Sequence, residues 1–506
     1  MTEHILSKLK KTAERFPDKP AFADESGAIT FEGLYRMCMG TAAFLHAQGL
    51  HAEPVVVCME KTHAFAAALF GVLAGGCAYV PVDAETPETR MAAMLDATGS
   101  RAVICDNATQ WRVLTAAKDR HEETRVFLWD DVYTFVSDHR DEQQSECAFP
   151  DPPDEDMAYI MFTSGSTGAP KGVCVTHANL DAYVTRLIEV MGFSEHTVFA
   201  NQTPFSTDAS IKELYPTVWL GATTWIIPKI CFSFPVMLLS FLNEHRINTI
   251  CWAASAYALA AGMGALSVSR PAYLHTAAFG SEPLAAAHLR TWMKACPGIR
   301  FTNLYGPTEA TGVCCYYHVE EMPGEGSVIP AGYPFPDAVL SVHDEAGKRL
   351  ADGETGEICI SGPQVAKGYA GDDGLTGARF VTDENGNRCY RTGDLGYFDA
   401  AGRLVLTGRT DFQIKHMGYR IEPAEIEAQG YAVTGVTLCG CVYDKPEHQI
   451  VFCYAGDAAE QDIRASLEGT LPRHMQPARY LHLDALPLNA NGKADRLRLL
   501  EILAQG

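Results

Sequence analysis

The sequence predicts an α/β protein, with largely parallel sheets covered by helices and a smaller α+β unit at the C-terminal end. Three observations carry this reading. Through the first four hundred residues, apolar runs bounded by turn residues alternate with helical patterns. After about residue 410 the pattern restarts on a smaller scale. The length of 506 residues suggests about three domain-sized units, at roughly 100–200 residues each.

Taken in order, Met1 to Phe16 is polar and charged and carries no signal-peptide core. Ala64 to Val82 contains 19 uncharged residues, close to transmembrane length. Gly71, Gly75, Gly76 and Pro81 interrupt it and Asp83 ends it, which predicts a buried helix turning into a buried strand. Asp138 to Asp156, rich in Asp, Glu, Gln and Pro, reads as a surface connection. Tyr159–Phe162 and Thr223–Ile227 read as strands; His177–Met191 and Leu284–Ala295 read as helices. Beyond Gly408–Arg409–Thr410–Asp411, the pattern gives a helix at Glu422–Gln429, strands at Val436–Tyr443 and Gln449–Tyr454, and a helix at Ala459–Leu471. The expected domains are therefore 1–409 and 410–506.

The chain is 47% hydrophobic, 20% charged and 10% aromatic, which excludes disorder, collagen and coiled coil. Its net charge of −22 repels nucleic-acid phosphates and anionic membranes, so neither is an expected partner. An anionic substrate must then be met by local cations or backbone N–H groups. The 16 cysteines are scattered, mostly in apolar runs, without the Cys-x-x-Cys spacing of zinc or redox sites. They read as buried thiols of a reducing cytoplasmic compartment.

The first chemical signal is Thr163-Ser164-Gly165-Ser166-Thr167-Gly168-Ala169-Pro170-Lys171-Gly172, directly after a predicted strand. Its glycines turn backbone N–H groups toward an anion, its hydroxyls add donors and its lysine adds charge, as a triphosphate requires. The Walker A spacing is missing. Asn303-Leu304-Tyr305-Gly306-Pro307-Thr308-Glu309 offers an aromatic face for a base, then a hydroxyl and a carboxylate suited to Mg²⁺. Tyr390-Arg391-Thr392-Gly393-Asp394 supplies a carboxylate for the two hydroxyls of a ribose. Gly408 to Lys415 is a fourth cluster, and Leu486 to Arg496 sets one lysine, Lys493, on a turn containing Gly492.

In this order and at these intervals, the motifs resemble the adenylate-forming superfamily, specifically the amino-acid adenylation domains of nonribosomal peptide synthetases. Within that group the chain is similar to the free-standing D-alanine–carrier-protein ligases, through Gln202-Thr203-Pro204-Phe205-Ser206 to Tyr215-Pro216. The resemblance extends over nearly the whole chain. It implies a large N-terminal part of two α/β subdomains and a small β-barrel, then a small mobile α+β C-terminal domain. It also implies a reaction in which a carboxylate attacks the α-phosphate of ATP, and a carrier-protein phosphopantetheine thiol then displaces AMP. By matching motif, Thr163 to Lys171 hold the β- and γ-phosphates. Tyr305 packs on adenine, Thr308 contacts the α-phosphate and Glu309 binds Mg²⁺. Asp394 holds the ribose with Arg409 nearby, and Lys493 bridges the substrate carboxylate and α-phosphate. Asp411 is the hinge, and the loop around Gly418 faces the thiol.

Asp208 matches the residue that pairs with a substrate α-ammonium, a device that rejects plain fatty acids because they would leave it unpaired. Other matching pocket positions are Ala209, Lys212, Trp252, Ala278, Gly280, Leu304, Gly312 and Val313. Lys212 shares a helical face with Asp208. Inside the pocket it favours a side chain bearing an anion, such as glutamate or aspartate; the alternative is a pair with Asp208 or Glu213. Lys212, Trp252 and Thr207 depart from the D-alanine ligase pattern.

Only 13 residues follow Lys493, so the thiol acceptor is expected to be a separate carrier protein. Arg473, Arg496 and Arg498 are candidates for docking an acidic carrier. The competing readings are an acyl- or aryl-CoA ligase of the same superfamily, a D-alanine–D-alanyl carrier protein ligase, and a nucleotide-binding protein without turnover.

Overall fold

The computed structural model describes residues 5–118, 124–139, 152–165, 168–383, 386–489 and 494–505. Most of Asp138 to Asp156 lies outside them. Two large, mostly parallel sheets dominate. The first has nine strands in spatial order Tyr333–Pro334, Cys315–Val319, Arg300–Tyr305, Thr276–Gly280, Thr249–Ala253, Val198–Asn201, Thr223–Ile226, Pro20–Asp24 and Gly27–Thr30. Its six central strands are parallel and its margins antiparallel. The second has seven, in the order Gly368–Tyr369, Lys171–Thr176, Met157–Thr163, Ala78–Asp83, Pro54–Met59, Ala102–Cys105 and Arg125–Leu128. Here five strands are parallel and the first two antiparallel.

Burial on both faces explains why these strands read as continuous apolar runs rather than alternating ones. Val55, Val56, Val57 and Cys58 are all inaccessible to solvent, and separate apolar clusters cover the opposite face of each sheet. The uncharged stretch is the helix His63–Ala74, ended by Gly75 and Gly76, followed by the central strand Ala78–Asp83. Among the described residues, no helix is long and apolar enough to cross a membrane. His177–Met191 is helical as expected: Thr176 and Asn179 form a capping box at its start, and Gly192 closes it in the left-handed conformation. The described cysteines are all buried and unpaired.

The third sheet, expected as a small barrel, is five-stranded and antiparallel, built on the long strand Arg388–Phe398. Register shifts at Glu357/Cys359 and Leu395/Gly396 curl it. Tyrosines tie the seven-stranded sheet to helix Ile211–Leu220: Tyr79 stacks on Tyr159 of the same sheet at 5.5 Å and meets the Tyr215 hydroxyl of the helix at 3.0 Å. The C-terminal unit has its own core. The hairpin Ile414–His416/Tyr419–Ile421 leads into helix Pro423–Tyr431 and a three-stranded sheet backed by helices Glu460–Thr470 and Arg496–Gln505. Met417 and Gly418, both at positive φ, make the tight hairpin turn.

One expectation is corrected here. Trp252 is not a pocket wall but core: it is fully buried, its indole donates to the Ala200 carbonyl at 2.7 Å, and it packs against Phe232 and Tyr257. Trp252→Ala is therefore expected to cost about 3–5 kcal/mol in denaturant unfolding, with the substrate profile of the remaining folded protein unchanged.

Candidate active site

The carboxyl ends of the parallel strands in both sheets converge on one cleft of about 650 Å³, roofed by the C-terminal unit. Ligands of open α/β sheets bind at such strand ends, where loops rather than regular structure supply the side chains. From the nine-stranded sheet come Asp208, Ser281 and Gly306 to Thr308; from the seven-stranded sheet come Lys61, Asp83, Thr163 and Ser164. The third sheet adds Thr392, Asp394 and Arg409, and the C-terminal hairpin adds Lys415 and Met417 to Arg420.

Glu309 sits at the centre, wholly buried on a short turn after strand Arg300–Tyr305. Both its oxygens accept from Arg420 Nη1 at 2.9 Å, the Tyr369 hydroxyl donates at 2.7 Å, and Lys171 Nζ lies 3.8 Å away. Burial alone would raise its pKa, but the Arg420 and Lys171 charges outweigh that and hold it well below the usual carboxylate range. Burial, joined by Arg420, in turn brings Lys171 down to about 8. A divalent cation fits this donor set with Thr308 beside it, since Mg²⁺ takes one or two carboxylates and completes its shell with phosphate oxygens and water. It fits only once Arg420 has left.

Asp394 accepts from the Tyr305 hydroxyl at 2.7 Å and pairs with Arg409. Arg409 also holds Asp411 at 2.6 Å, which outweighs burial and lowers the Asp411 pKa. Tyr305 itself is buried and stands behind Asp394 rather than on the cleft wall. The phosphate loop leaves strand Met157–Thr163 and re-enters the sheet at Lys171, opposite Thr163. Among the described residues, the buried Thr163 hydroxyl at the mouth of the loop has no hydrogen-bond partner. Gly168 takes a φ of 89°, and a Cβ there would come 2.8 Å from the Ala428 side chain. Ser166, Thr167 and Lys493 lie outside the described residues. Leu488 and Ala494, which flank Lys493, pair with each other, and neither lines the cleft.

Beside the cleft, and continuous with it through Asp208, Ser281 and Gly306, is a cavity of about 20 Å³. It is lined by Asp208, Ala209, Lys212, Ser281, Leu304, Gly306, Gly312 and Val313, so six of the sequence-matched pocket positions meet there. Ala278 and Gly280 do not line it. Ala278 is fully buried within its strand, and Gly280 is a packing glycine whose Cβ would stand 2.5 Å from the Leu304 carbonyl oxygen. Burial raises the Asp208 pKa despite the opposing Lys212 charge and the Thr308 hydroxyl. Lys212 is 4% exposed. It makes no ion pair with Asp208 or Glu213 among the described residues. Glu213 instead accepts from the Asn201 amide, and burial pushes its pKa up.

Sequence reasoning did not single out Ser281, Arg90 or Glu425. Ser281 has a φ of 67°, rare for a residue with a Cβ, and a Ser after a strand gives no sign of it. Of the arginines expected to dock a carrier, Arg496 pairs with Glu427 at 2.6 Å, Arg498 with Glu501 at 2.9 Å, and Arg473 lines the cleft.

Two parallel sheets with a cleft and a small adjoining cavity at their strand ends, covered by a small C-terminal unit, define the class: a layered α/β protein with a two-part site. The sequence profile described as AMP-binding enzyme matches residues 9–370, and the chain belongs to that family. The D-alanine–D-alanyl carrier protein ligase of Bacillus licheniformis is 31% identical, over 98% of this chain and 99% of its own. In structure the chain is similar to the Vibrio cholerae adenylation domain AlmE, solved with glycyl-adenosine-5'-phosphate (TM-score 0.87, 22% identity, covering 100% and 98% of the two chains). It is also similar to holo-PA1221, a nonribosomal peptide synthetase protein containing adenylation and PCP domains (TM-score 0.81, 24% identity, 99% and 84%).

Because the left-handed conformation at Ser281 disfavours a branched Cβ, Ser281→Val is expected to lose about 1–3 kcal/mol in thermal or denaturant unfolding, whereas Ser281→Gly retains wild-type stability.

Proposed function

We propose that the protein is a stand-alone amino-acid-activating ligase that uses ATP and Mg²⁺ to form an aminoacyl-adenylate and pyrophosphate. It then passes the aminoacyl group to the phosphopantetheine thiol of a separate carrier protein. One observation carries the reading: Asp208, Ser281 and Gly306 line both the small cavity and the cleft. An α-ammonium on Asp208 would therefore leave the substrate carboxylate in the cleft beside Thr308. A fatty or aryl acid would leave the buried Asp208 carboxylate unpaired, which disfavours the CoA-ligase alternative.

In this reading Thr163, Ser164, the loop N–H groups and Lys171 hold the outer phosphates. Asp394, braced by Tyr305 and Arg409, receives the ribose hydroxyls. Thr308 donates to the α-phosphate, and Glu309 holds the cation. Mg²⁺ supplies charge neutralisation of the leaving pyrophosphate. Attack of the carboxylate oxygen on the α-phosphorus is in line, and Lys493 stabilises the charge that develops. Residues 410–506 are the mobile lid and Asp411 its hinge. The reading needs two lid positions, because the hairpin around Gly418 now faces the cleft while the neighbours of Lys493 lie away from it.

Lys212 is nearly buried and lines the cavity near Asp208 without a direct ion pair to it, so an acidic substrate side chain would give its ammonium a direct partner. A second reading, a small neutral amino acid such as alanine, is favoured by the small cavity and by the named relatives.

The deciding experiment is exchange of labelled pyrophosphate into ATP across L-, D- and β-amino acids and aryl acids. Exchange with an acidic amino acid supports Lys212 as its reader, exchange with alanine supports the second reading, and exchange only with aryl or fatty acids overturns both. Lys493→Ala is expected to lose at least about a hundredfold in adenylate formation while still binding ATP. Lys212→Leu is expected to shift preference from acidic toward neutral amino acids in the same assay. The raised pKa of Asp208 gives a signed expectation as well: amino-acid binding releases protons wherever the free carboxyl is still protonated, and affinity rises with pH until the carboxylate is ionised. Calorimetry in buffers of different ionisation enthalpy measures this, and Asp208→Asn removes it.

A further inference from the structure

We propose that the C-terminal unit carries a charge-matched plug for the polyphosphate subsite. The Glu425 carboxylate takes the place of a phosphate on the Thr163–Lys171 loop, and the Arg420 guanidinium takes the place of the divalent cation on Glu309. This lid position and bound magnesium polyphosphate therefore exclude one another. The proposal rests on the nucleotide reading of the cleft.

Two independent contacts carry it. On the loop, the Gly165 N–H donates to Glu425 Oε2 at 3.1 Å. The Ser164 hydroxyl donates to the Arg420 carbonyl at 2.7 Å and accepts from the Glu422 N–H at 2.9 Å. Two of the loop's described donors, the Ser164 hydroxyl and the Gly165 N–H, thus already hold acceptors from the C-terminal unit, the one on Gly165 being an anion. Arg90 of the large unit pairs with the same Glu425 carboxylate and supplies the cation that an anion in this position calls for. On the other side, Arg420 spans both oxygens of Glu309.

The sign of charge is matched at both places: a carboxylate on N–H donors, a guanidinium on a carboxylate. Both carboxylates are nearly or wholly inaccessible, Glu425 at 3% and Glu309 at 0%, so neither can go unpaired without a large desolvation cost. When magnesium pyrophosphate departs, Gly165 and Glu309 lose their partners, and the plug replaces them in one movement. When magnesium polyphosphate binds, the plug must leave. The hairpin Tyr419–Ile421 and the start of helix Pro423–Tyr431 therefore set the resting position of the lid by the same contacts that would otherwise hold the ligand.

The test is calorimetric titration of the full-length wild-type protein, Arg420→Met and Glu425→Gln with magnesium pyrophosphate, with hydrogen exchange read on the hairpin Ile414–Ile421. Removing one half of the plug raises the fraction of molecules with an open subsite, so each variant is expected to bind magnesium pyrophosphate about fivefold tighter or more. In the wild type, adding magnesium pyrophosphate is expected to speed exchange across the hairpin. Unchanged or weaker binding in cooperatively folding variants would overturn the plug. Should the variants fail to fold, a wild-type hairpin whose exchange is unaltered by saturating magnesium pyrophosphate would overturn it alone. Absence of any binding of magnesium pyrophosphate or MgATP to the wild type would overturn the nucleotide reading itself, and this proposal with it.

Discussion

A single buried carboxylate organises the cleft. Glu309 has no access to water, and an ionised carboxylate in that position survives only if cations and donors surround it. Its partners come from two other parts of the molecule: Lys171 and Tyr369 from the seven-stranded sheet, and Arg420 from the C-terminal hairpin. The requirement to neutralise one charge therefore ties the two large sheets to the lid. It also explains why burial fails to raise the Glu309 pKa, while at Asp208, whose nearest cation makes no ion pair, burial prevails.

Around that centre the division of labour is clear. Parallel strands, buried on both faces, provide rigid ends. The loops that leave them provide Asp208, Ser281, Thr308 and Thr163 to Ser164, where irregular backbone turns side chains into the cleft. The antiparallel third sheet brings Asp394 in from the side, held by Tyr305 beneath and Arg409 beyond. The small cavity opens on this cleft at Asp208, so a group in the cavity and an anion in the cleft meet at one point. An activation reaction needs that meeting, because orientation of the two reactants supplies much of its rate.

Much of this was legible in the primary structure where the signal is local. The apolar run at Ala64–Val82 announced a helix followed by a strand, and the turn residues before Lys171 announced the loop between two paired strands. Six of the pocket positions were readable because they sit on loops of fixed relation to a motif. Trp252 misled: an aromatic at the end of a central strand looks the same in sequence whether it faces a ligand or the opposite layer, and its partners Ala200, Phe232 and Tyr257 are distant in the chain. Ser281 gave no local sign, because its conformation follows from the loop it closes rather than from its side chain.

By itself the sequence determined the layered α/β fold and the chemical types gathered at the strand ends, since periodicity, turn residues and motif spacing are properties of neighbours along the chain. Only the tertiary structure decided which charges meet. Arg420 on Glu309 and Glu425 on Gly165 are brought together by packing between units from positions 111 and 260 residues apart in the chain. Such pairings depend on distance and desolvation in space, which no spacing along the chain records.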